Sequence, residues 1–189
     1  YAEVLVGKNG NISVKIGSQS NGQGHETSYA QIVSEVLGVD IENIQVMQGN
    51  SIEIPNGSGT GGSRSTPVGG SALHLAANNL LKKSKKFVSC KLNVNEEEIN
   101  YKNGVFFYKS DSLSLAEISN MFSSQNDSLS SYESWAPPSG TFTYPNGTHI
   151  CELEVNKETG MINILSYSIV DDFGKVINPL LLEGQVHGG

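Results

Sequence analysis

The chain has 189 residues, of which 37% are hydrophobic and 16% are charged, which is enough to form a buried core and differs from the composition of a disordered chain. Its formal net charge of -7 argues against a nucleic-acid backbone as the principal partner, because phosphate binding requires a basic face. No apolar stretch approaches the roughly 20 residues that span a bilayer. We therefore expect a folded, soluble and cytoplasmic protein.

The first third of the chain predicts a hairpin, a helix and a strand, in that order. Apolar and polar residues alternate over 4–17 around a turn at 8–11, as they do in a β-hairpin. A polar loop over 18–24 then leads into a predicted helix over 27–37, and Gly38 is a typical C-terminal stop. A short strand is predicted over 44–47.

The middle third begins with a long polar, glycine-rich segment over 49–62. The sequence Ser65-Thr66-Pro67 then predicts a helix start with a hydroxyl cap and a proline in the first turn, and the helix is expected to run to about residue 81. Strands are predicted over 87–94 and 105–108, and a short helix over 113–121. The basic run Lys82, Lys83, Lys85 and Lys86 is predicted to solvate the end of the long helix.

The last third predicts a hairpin of strands over 150–155 and 162–171, followed by a helix after Pro179. These elements together predict an α+β fold with mixed sheets and a few packed helices. We divide it into a lobe over 1–122 that carries a GQG loop and a Gly/Ser loop, a serine-rich exposed loop over 123–131, and a second segment over 132–189. All three parts are expected to belong to one larger, incomplete domain.

Three polar elements are able to bind a large polar ligand: residues 22–26 (GQGHE), residues 61–67 (GGSRSTP) and residues 183–188 (EGQVHG). Glycine lets backbone amides approach a ligand closely, and helix N-termini favour acceptor-rich groups such as phosphate. A glutamine amide both donates and accepts hydrogen bonds, which suits the edge of a pterin. Taken alone, however, a GQG sequence is more often a surface turn.

Other site types fit the sequence poorly. Gly57, Gly59 and Gly62 match the spacing of a dinucleotide-binding loop, but no acidic residue follows at about 20 positions. The four histidines are not spaced as metal ligands, and Cys90 and Cys151 lack zinc or disulfide spacing and are expected to be buried thiols. Asp171 and Asp172 are adjacent in a strand and should face opposite sides, which favours a turn role over paired catalysis.

Taken in order, these elements resemble the molybdopterin-binding large subunits of the xanthine dehydrogenase, aldehyde oxidase and aerobic carbon monoxide dehydrogenase family. The matching segments are residues 22–32, 62–70, 145–160 and 172–189, so that the resemblance covers nearly the whole chain. It implies that the chain is an internal fragment of a large subunit and forms part of the molybdopterin-binding domain of a molybdenum hydroxylase.

The resemblance also implies which residues contact the cofactor. Gln23 would lie near the molybdenum oxo ligand and Gln185 near the pterin, while the hydroxyls and amides around Arg64 would face the pterin, its phosphate or its nucleotide tail. The full predicted set is Gln23, Gly24, Gly62, Ser63, Arg64, Ser65, Thr66 and Gln185.

By the same resemblance, the intact enzyme would contain molybdenum on molybdopterin in its cytosine dinucleotide form, with FAD and 2Fe-2S clusters on partner subunits or domains. It would oxidise an aldehyde, an N-heterocycle or carbon monoxide with water-derived oxygen. The family's glutamate base lies in a motif beyond residue 189, so we predict no catalytic residue here and expect Glu26, Glu152 and Glu183 to be non-catalytic. The isolated fragment is predicted to be inactive.

Two alternatives from other classes remain open at this point. The loop over 57–66 could hold a phosphate or nucleotide in a binding module without redox chemistry. The chain could also be a structural piece whose loops are disordered when it is isolated.

Overall fold

The computed structural model describes residues 1–139 and 143–189. Strands β1 (Ala2–Val6) and β2 (Ile12–Ile16) form an antiparallel hairpin in which Ala2 lies opposite Ile16. Every second residue of both strands is buried, in accordance with the alternation of side chains along a strand. The hairpin predicted from the alternating sequence is confirmed.

This hairpin forms the centre of a four-stranded mixed sheet with the order β3-β2-β1-β7. Strand β3 (Ile44–Met47) runs parallel to β2, and β7 (Ser130–Glu133) runs antiparallel to β1. The parallel β2–β3 pair requires a crossover, which the first helix provides. The mixed sheet and its helices confirm the predicted α+β class.

Two long helices pack against this sheet. Helix α1 (His25–Leu37) buries Tyr29, Val33 and Leu37, and it ends at Gly38, whose φ of 58° lies in the left-handed region as the predicted stop requires. Helix α2 (Ser71–Leu92) is preceded by a π-helical stretch, Ser65–Gly70, so the helical segment begins where Ser65-Thr66-Pro67 predicted it. No side chain caps this start, however, so the predicted hydroxyl cap is wrong.

A second, three-stranded sheet has the order β4-β5-β6, with β4 (Asn100–Lys102), β5 (Val105–Tyr108) and β6 (Asp111–Ser114). It leads directly into α3 (Leu115–Ser124). Ser114 and Glu117 form a reciprocal capping box at the start of α3. These backbone and side-chain hydrogen bonds from Ser114 lower the pKa of the Glu117 carboxyl.

The C-terminal part consists of the antiparallel hairpin β8 (Asn146–Val155) and β9 (Ile162–Asp172), followed by α4 (Pro179–Gly188). Both the hairpin and the closing helix were predicted. The Asn178 side chain accepts a hydrogen bond from the Leu181 amide and so caps α4, with Pro179 in the first turn.

The predicted strand over 87–94 is wrong, because α2 continues through this segment to Leu92. Leu80, Ser84 and Val88 are buried at intervals of four residues, which is the period of one helix face. Ser84 donates a hydrogen bond of 2.8 Å to the Leu80 carbonyl and is fully buried. A polar residue at a buried position therefore interrupts the hydrophobic pattern, and the four lysines lie within the helix, not at its end.

The predicted exposed loop over 123–131 is also partly wrong. Residues 123 and 124 belong to α3, Leu129 is fully buried, and Ser130 and Ser131 begin β7. The segment therefore joins the central sheet at its end, whereas residues 124–128 are exposed as predicted. The division at residues 122 and 132 stays a prediction.

Cys90 and Cys151 are exposed free thiols, so the expectation that they are buried is wrong for this chain. Within the described part of the chain, no helix combines the length and the apolar character that a membrane crossing requires.

Candidate functional site

The GQG loop ends directly at α1, and its glycines adopt conformations that other residues avoid. Gly22 has a φ of 100° and Gly24 a φ of 74°. A Cβ atom on Gly24 would lie 2.5 Å from Cδ2 of Leu181, which belongs to α4. The absence of a side chain at Gly24 therefore allows the GQG loop to contact the helix that carries Gln185.

The Gly/Ser loop also contains a cluster of left-handed residues. Gly59, Gly62 and Ser63 have φ values of 69°, 61° and 54°. Ser63 is one of few residues other than glycine in this conformation, which is uncommon and often found at functional sites. Ser65 Oγ donates to Thr60 Oγ1 at 3.0 Å, and Thr60 in turn donates to the Gln19 carbonyl, so this loop is attached to the loop that precedes α1.

A cleft of about 770 Å³ separates the Gly/Ser loop from α4, and we call it the Gln185 cleft. Ser63 and Gln185 both line it, although they are separated by more than half of the chain. The Thr143 hydroxyl donates to the Ser63 carbonyl at 3.0 Å. The remaining polar or charged lining residues include Asn146, His149, Asp171 and Asp172.

Only part of the predicted contact set lies in this cleft. Ser63 and Gln185 line it, whereas Arg64 and Ser65 line a neighbouring cleft of about 450 Å³ together with Gly57, Gly59 and Gly61. The Arg64 side chain donates to the Gly61 carbonyl at 3.2 Å, within its own loop. The Gly/Ser loop thus separates two clefts and presents neighbouring residues to each.

The other predicted residues lie at the edges of this region. Thr66 lines a larger cleft of about 1130 Å³ between α1, α2 and residues 173–177. Gln23 lies in the GQG loop, where its side-chain oxygen accepts a hydrogen bond from the Asn21 amide. Gly24 contacts α4 through Leu181, as described above, and Gly62 precedes Ser63.

The lining of the Gln185 cleft includes a pair of side chains, His149 and Asp171, whose pairing was not predicted from the sequence. His149 Nε2 lies 3.4 Å from Asp171 Oδ1, and His149 Nδ1 lies 3.3 Å from the Tyr167 hydroxyl. His149 and Asp171 are on neighbouring strands of the β8–β9 hairpin. Their proximity depends on the strand register, which the spacing in the sequence does not give.

Asp172 has the turn role that was predicted for it, because its carboxylate accepts the Gly174 amide at 2.8 Å. Asp171 instead pairs with His149, so the two neighbouring carboxylates have different partners. Among residues 1–139 and 143–189, no cluster of three or more histidine, cysteine or acidic side chains could hold a metal ion. The Gln185 cleft is lined by Ser63, Thr143 and Gln185, whose side chains carry hydroxyl and amide groups, together with His149, Asp171 and Asp172.

The three glutamates expected to be non-catalytic each have a partner. Glu26 accepts a hydrogen bond from Gln48 at 3.0 Å, and Glu152 accepts one from Ser166 at 3.2 Å. Glu183 lies 3.7 Å from Nε2 of His187, one helical turn away. None of these three residues is among those lining the Gln185 cleft.

The family model of the molybdopterin cofactor-binding domain matches residues 1–189. The chain is 36% identical over 195 residues to the carbon monoxide dehydrogenase large chain of Hydrogenophaga pseudoflava, covering 99% of this chain and 24% of that protein. It is 28% identical over 205 residues to a putative xanthine dehydrogenase molybdenum-binding subunit of Escherichia coli, covering 100% and 26%.

The solved structure of reconstituted CO dehydrogenase from Oligotropha carboxidovorans superimposes with a TM-score of 0.86 at 34% identity, covering 100% of this chain and 24% of that one. The chain spans about a quarter of the length of these relatives. Both the sequence and the fold therefore agree with one family, and the chain belongs to the molybdopterin cofactor-binding domain family that occurs in the large subunits of molybdenum hydroxylases.

Proposed function

We propose that this chain acts within a molybdenum hydroxylase large subunit and binds molybdopterin in the Gln185 cleft. The observation that carries the proposal is the convergence of the three polar elements that are distant in sequence. Gln185 and Ser63 line one cleft, and the GQG loop contacts the Gln185 helix at Leu181. The cleft volume lies in the usual range for small-molecule and cofactor sites.

The residues present are chemically suited to this cofactor. A pterin edge alternates hydrogen-bond donors and acceptors, and a glutamine amide matches both kinds of group. The left-handed glycines of the Gly/Ser loop carry no side chain that would keep a ligand away from the backbone, and Gly24 lets the GQG loop lie against Leu181 of α4. We assign Gln185 to the pterin, Gln23 to the end of the cofactor that carries the metal, and Gly24 and Gly62 to the backbone approach.

We extend the proposal to the cytosine dinucleotide form of the cofactor. Ser63, Arg64, Ser65 and Thr66 would bind its phosphates and nucleotide. Ser63 lines the Gln185 cleft, Arg64 and Ser65 line the neighbouring cleft, and Thr66 lines the larger cleft beside α1. The loop offers hydroxyls, backbone amides and one guanidinium, which are the groups that commonly bind phosphate. An elongated ligand would then extend past the Gly/Ser loop from one cleft into the other.

The bound cofactor would supply the redox chemistry. The reaction would be the oxidation of an aldehyde, an N-heterocycle or carbon monoxide with water-derived oxygen. The residues of this chain bind and orient the cofactor, and none of them is assigned as the catalytic base. We propose that the electrons pass to 2Fe-2S clusters and FAD on partner subunits or domains. The cytoplasmic location stays a prediction.

Replacing Gln185 tests the proposal. In the intact protein, Gln185→Ala should reduce bound molybdopterin per chain by roughly threefold to tenfold, because one hydrogen bond contributes about that factor. Bound pterin is measured as its fluorescent oxidation product, and molybdenum by mass spectrometry. The matched control is Gln125→Ala, since Gln125 is an exposed residue at the end of α3.

Unchanged pterin content in Gln185→Ala would remove this residue from the site. Equal losses in Gln185→Ala and Gln125→Ala would show a general effect on folding.

A further inference from the structure

Tyr29 was not among the predicted site residues, but its hydroxyl joins the two loops that we assign to the cofactor. Tyr29 lies on α1 five residues after Gly24, and it is fully buried. Its hydroxyl donates to the backbone carbonyl of Ser65 at 3.0 Å. It also lies 2.9 Å from Ser18 Oγ, which belongs to the polar loop before α1.

The Gly/Ser loop accommodates this tyrosine because a glycine follows it. A Cβ atom on Gly69 would lie only 3.0 Å from the Tyr29 hydroxyl and 3.1 Å from Ile16 Cδ1. Gly69 belongs to the π-helical stretch that connects the loop to α2. The absence of a side chain at Gly69 thus leaves the space through which Tyr29 reaches the Ser65 carbonyl.

Polar contacts continue from Ser18 to the start of α1, although the single Ser18 hydroxyl proton is donated to Tyr29 and not at the same time to Gln48. Ser18 Oγ and His25 Nδ1 both lie 3.3 Å from Gln48 Oε1, and Gln48 Nε2 donates to Glu26 at 3.0 Å. The His25 ring also packs against the Tyr29 ring, with 5.2 Å between their centroids. His25 and Glu26 directly follow the GQG loop, so a continuous polar chain runs from that loop to Ser65.

Burial makes these hydrogen bonds costly to lose. Tyr29 is fully buried and Ser65 is partly buried, so losing their hydrogen bond would leave polar groups poorly solvated, and the conformation of residue 65 that keeps the bond is preferred. Burial raises the pKa of the Tyr29 hydroxyl, although the hydrogen bond from Ser18 lowers it in part. The hydroxyl therefore keeps its proton and remains a donor at physiological pH.

We infer that Tyr29 is a positioning residue of the cofactor site, which holds the Gly/Ser loop in place through the Ser65 carbonyl and in register with the GQG loop. This inference rests on the proposed function. Tyr29 does not itself contact the cofactor. Its role is to order residues 63–66 before the cofactor binds, so that less conformational entropy is lost on binding.

The chain offers a matched control for removing one tyrosine hydroxyl. Tyr101 is partly buried, and its hydroxyl donates to the Leu37 carbonyl at the opposite end of α1. Tyr29→Phe and Tyr101→Phe therefore each remove one hydrogen bond between a tyrosine and a backbone carbonyl. Only the first of these bonds reaches the Gly/Ser loop.

The experiment measures two quantities in the intact wild-type protein and in both variants. The first is amide hydrogen exchange over residues 61–68 of the cofactor-free protein, which Tyr29→Phe should accelerate and Tyr101→Phe should leave unchanged. The second is the rate at which molybdopterin leaves the loaded protein. We expect Tyr29→Phe to raise this rate by roughly threefold to tenfold, the factor associated with one hydrogen bond.

If Tyr29 has a purely structural role, both variants should lose thermal stability to the same extent. The amide hydrogen exchange rate and the molybdopterin release rate would then be the same in Tyr29→Phe and Tyr101→Phe. This result would overturn the inference. If Tyr29→Phe does not fold, Gly69→Ala provides the second variant, because its Cβ would lie 3.0 Å from the Tyr29 hydroxyl and would displace that hydroxyl from the Ser65 carbonyl. Its release rate should then exceed that of Tyr101→Phe, and an equal rate would overturn the inference. A wild-type protein without molybdopterin would instead refute the proposed function, and the inference with it.

Discussion

At the residue scale, the two glycines of the GQG loop differ in the space that an added side chain would have. Both have positive φ, but a Cβ on Gly22 would meet nothing within 4 Å, whereas one on Gly24 would meet Leu181. The strain of a left-handed residue costs about 1 to 2 kcal/mol. Any further loss of stability when a side chain is added at Gly24 therefore reflects how closely the GQG loop approaches α4.

We predict that Gly24→Ala lowers the thermal stability of the protein more than Gly22→Ala does. The reason is that both variants have the φ strain, but only Gly24→Ala also displaces Leu181 from its position. Adding Leu181→Ala to Gly24→Ala relieves this clash, so the two changes together should lower the thermal stability by less than the sum of the single changes. Equal effects of the two glycine variants would contradict the contact between the GQG loop and α4.

The buried His25 side chain makes the stability of the protein depend on pH. The His25 side chain is 3% exposed, and this burial lowers its pKa, while the hydrogen bond with Gln48 raises it in part. The unfolded chain therefore binds the proton more tightly than the folded protein does. His25 contributes most to stability above its ordinary pKa of about 6.5, and this contribution is lost as the pH falls below that value.

The prediction is tested by melting temperatures from pH 8 to pH 5 for the wild type and His25→Asn. The wild type should lose stability more steeply below about pH 6.5 than the variant, because asparagine does not titrate. Parallel curves for the two proteins would show that His25 has the same proton affinity in both states.

At the element scale, Asn178 attaches the start of α4 through two hydrogen bonds. Asn178 Oδ1 accepts the Leu181 amide at 3.0 Å, and Asn178 Nδ2 donates to Gln31 Oε1 of α1 at 2.9 Å. The first bond caps α4 and the second attaches it to α1. The orientation of Gln185 therefore depends on Asn178.

We predict that Asn178→Ala destabilises the protein by about 1 kcal/mol or more, because it removes a helix cap and the bond to Gln31. Asn178→Asp keeps the cap oxygen and should recover most of the cap contribution, since a negative charge is favourable at a helix N-terminus. The comparison is made by denaturant unfolding. Equal losses in the two variants would assign the stabilisation to the Gln31 bond alone.

Elements with a clear hydrophobic period were predictable from the sequence, as the β1–β2 and β8–β9 hairpins and α1 show. The errors occur where a polar residue is buried or paired through distant contacts. Ser84 interrupts the apolar face of α2, and β7 begins with two serines whose strand partner, β1, is more than 120 residues away. Local patterns contain no information about such a partner.

The same limit applies to the candidate site, where residues within each loop could be predicted but contacts between distant segments could not. The glycines and glutamines of the three polar elements were identified from the sequence, because their residue types suggest close backbone approach and amide hydrogen bonding. The pairing of His149 with Asp171 and the hydrogen bond from Tyr29 to Ser65 depend on strand register and helix packing. Neither could be predicted from residue spacing alone.

At the scale of the whole molecule, the β8–β9 hairpin leaves apolar side chains exposed on one face. Leu153, Val155, Ile162, Ile164 and Tyr167 are between 46% and 64% exposed. Large exposed apolar patches are typical of surfaces that contact other protein segments. The same hairpin supplies His149 and Asp171 to the Gln185 cleft, so one wall of the cleft lacks support in this chain alone.

We predict that the isolated 189-residue chain retains little molybdopterin and does not oxidise aldehydes or purines. The physical reason is that an open, poorly supported cleft binds more weakly than an enclosed one, since ordering it costs free energy on binding. Turnover is measured with an artificial electron acceptor. Oxidation of either substrate by this chain alone would show that the site is complete without further segments.

The most direct test of the central claim is the cofactor content of the intact wild-type protein. Molybdenum by mass spectrometry and pterin by fluorescence should each approach about one equivalent per large subunit, with cytidine monophosphate released on hydrolysis if the dinucleotide form is bound. A folded, intact protein that contains neither molybdenum nor pterin would contradict the assignment of the Gln185 cleft to molybdopterin.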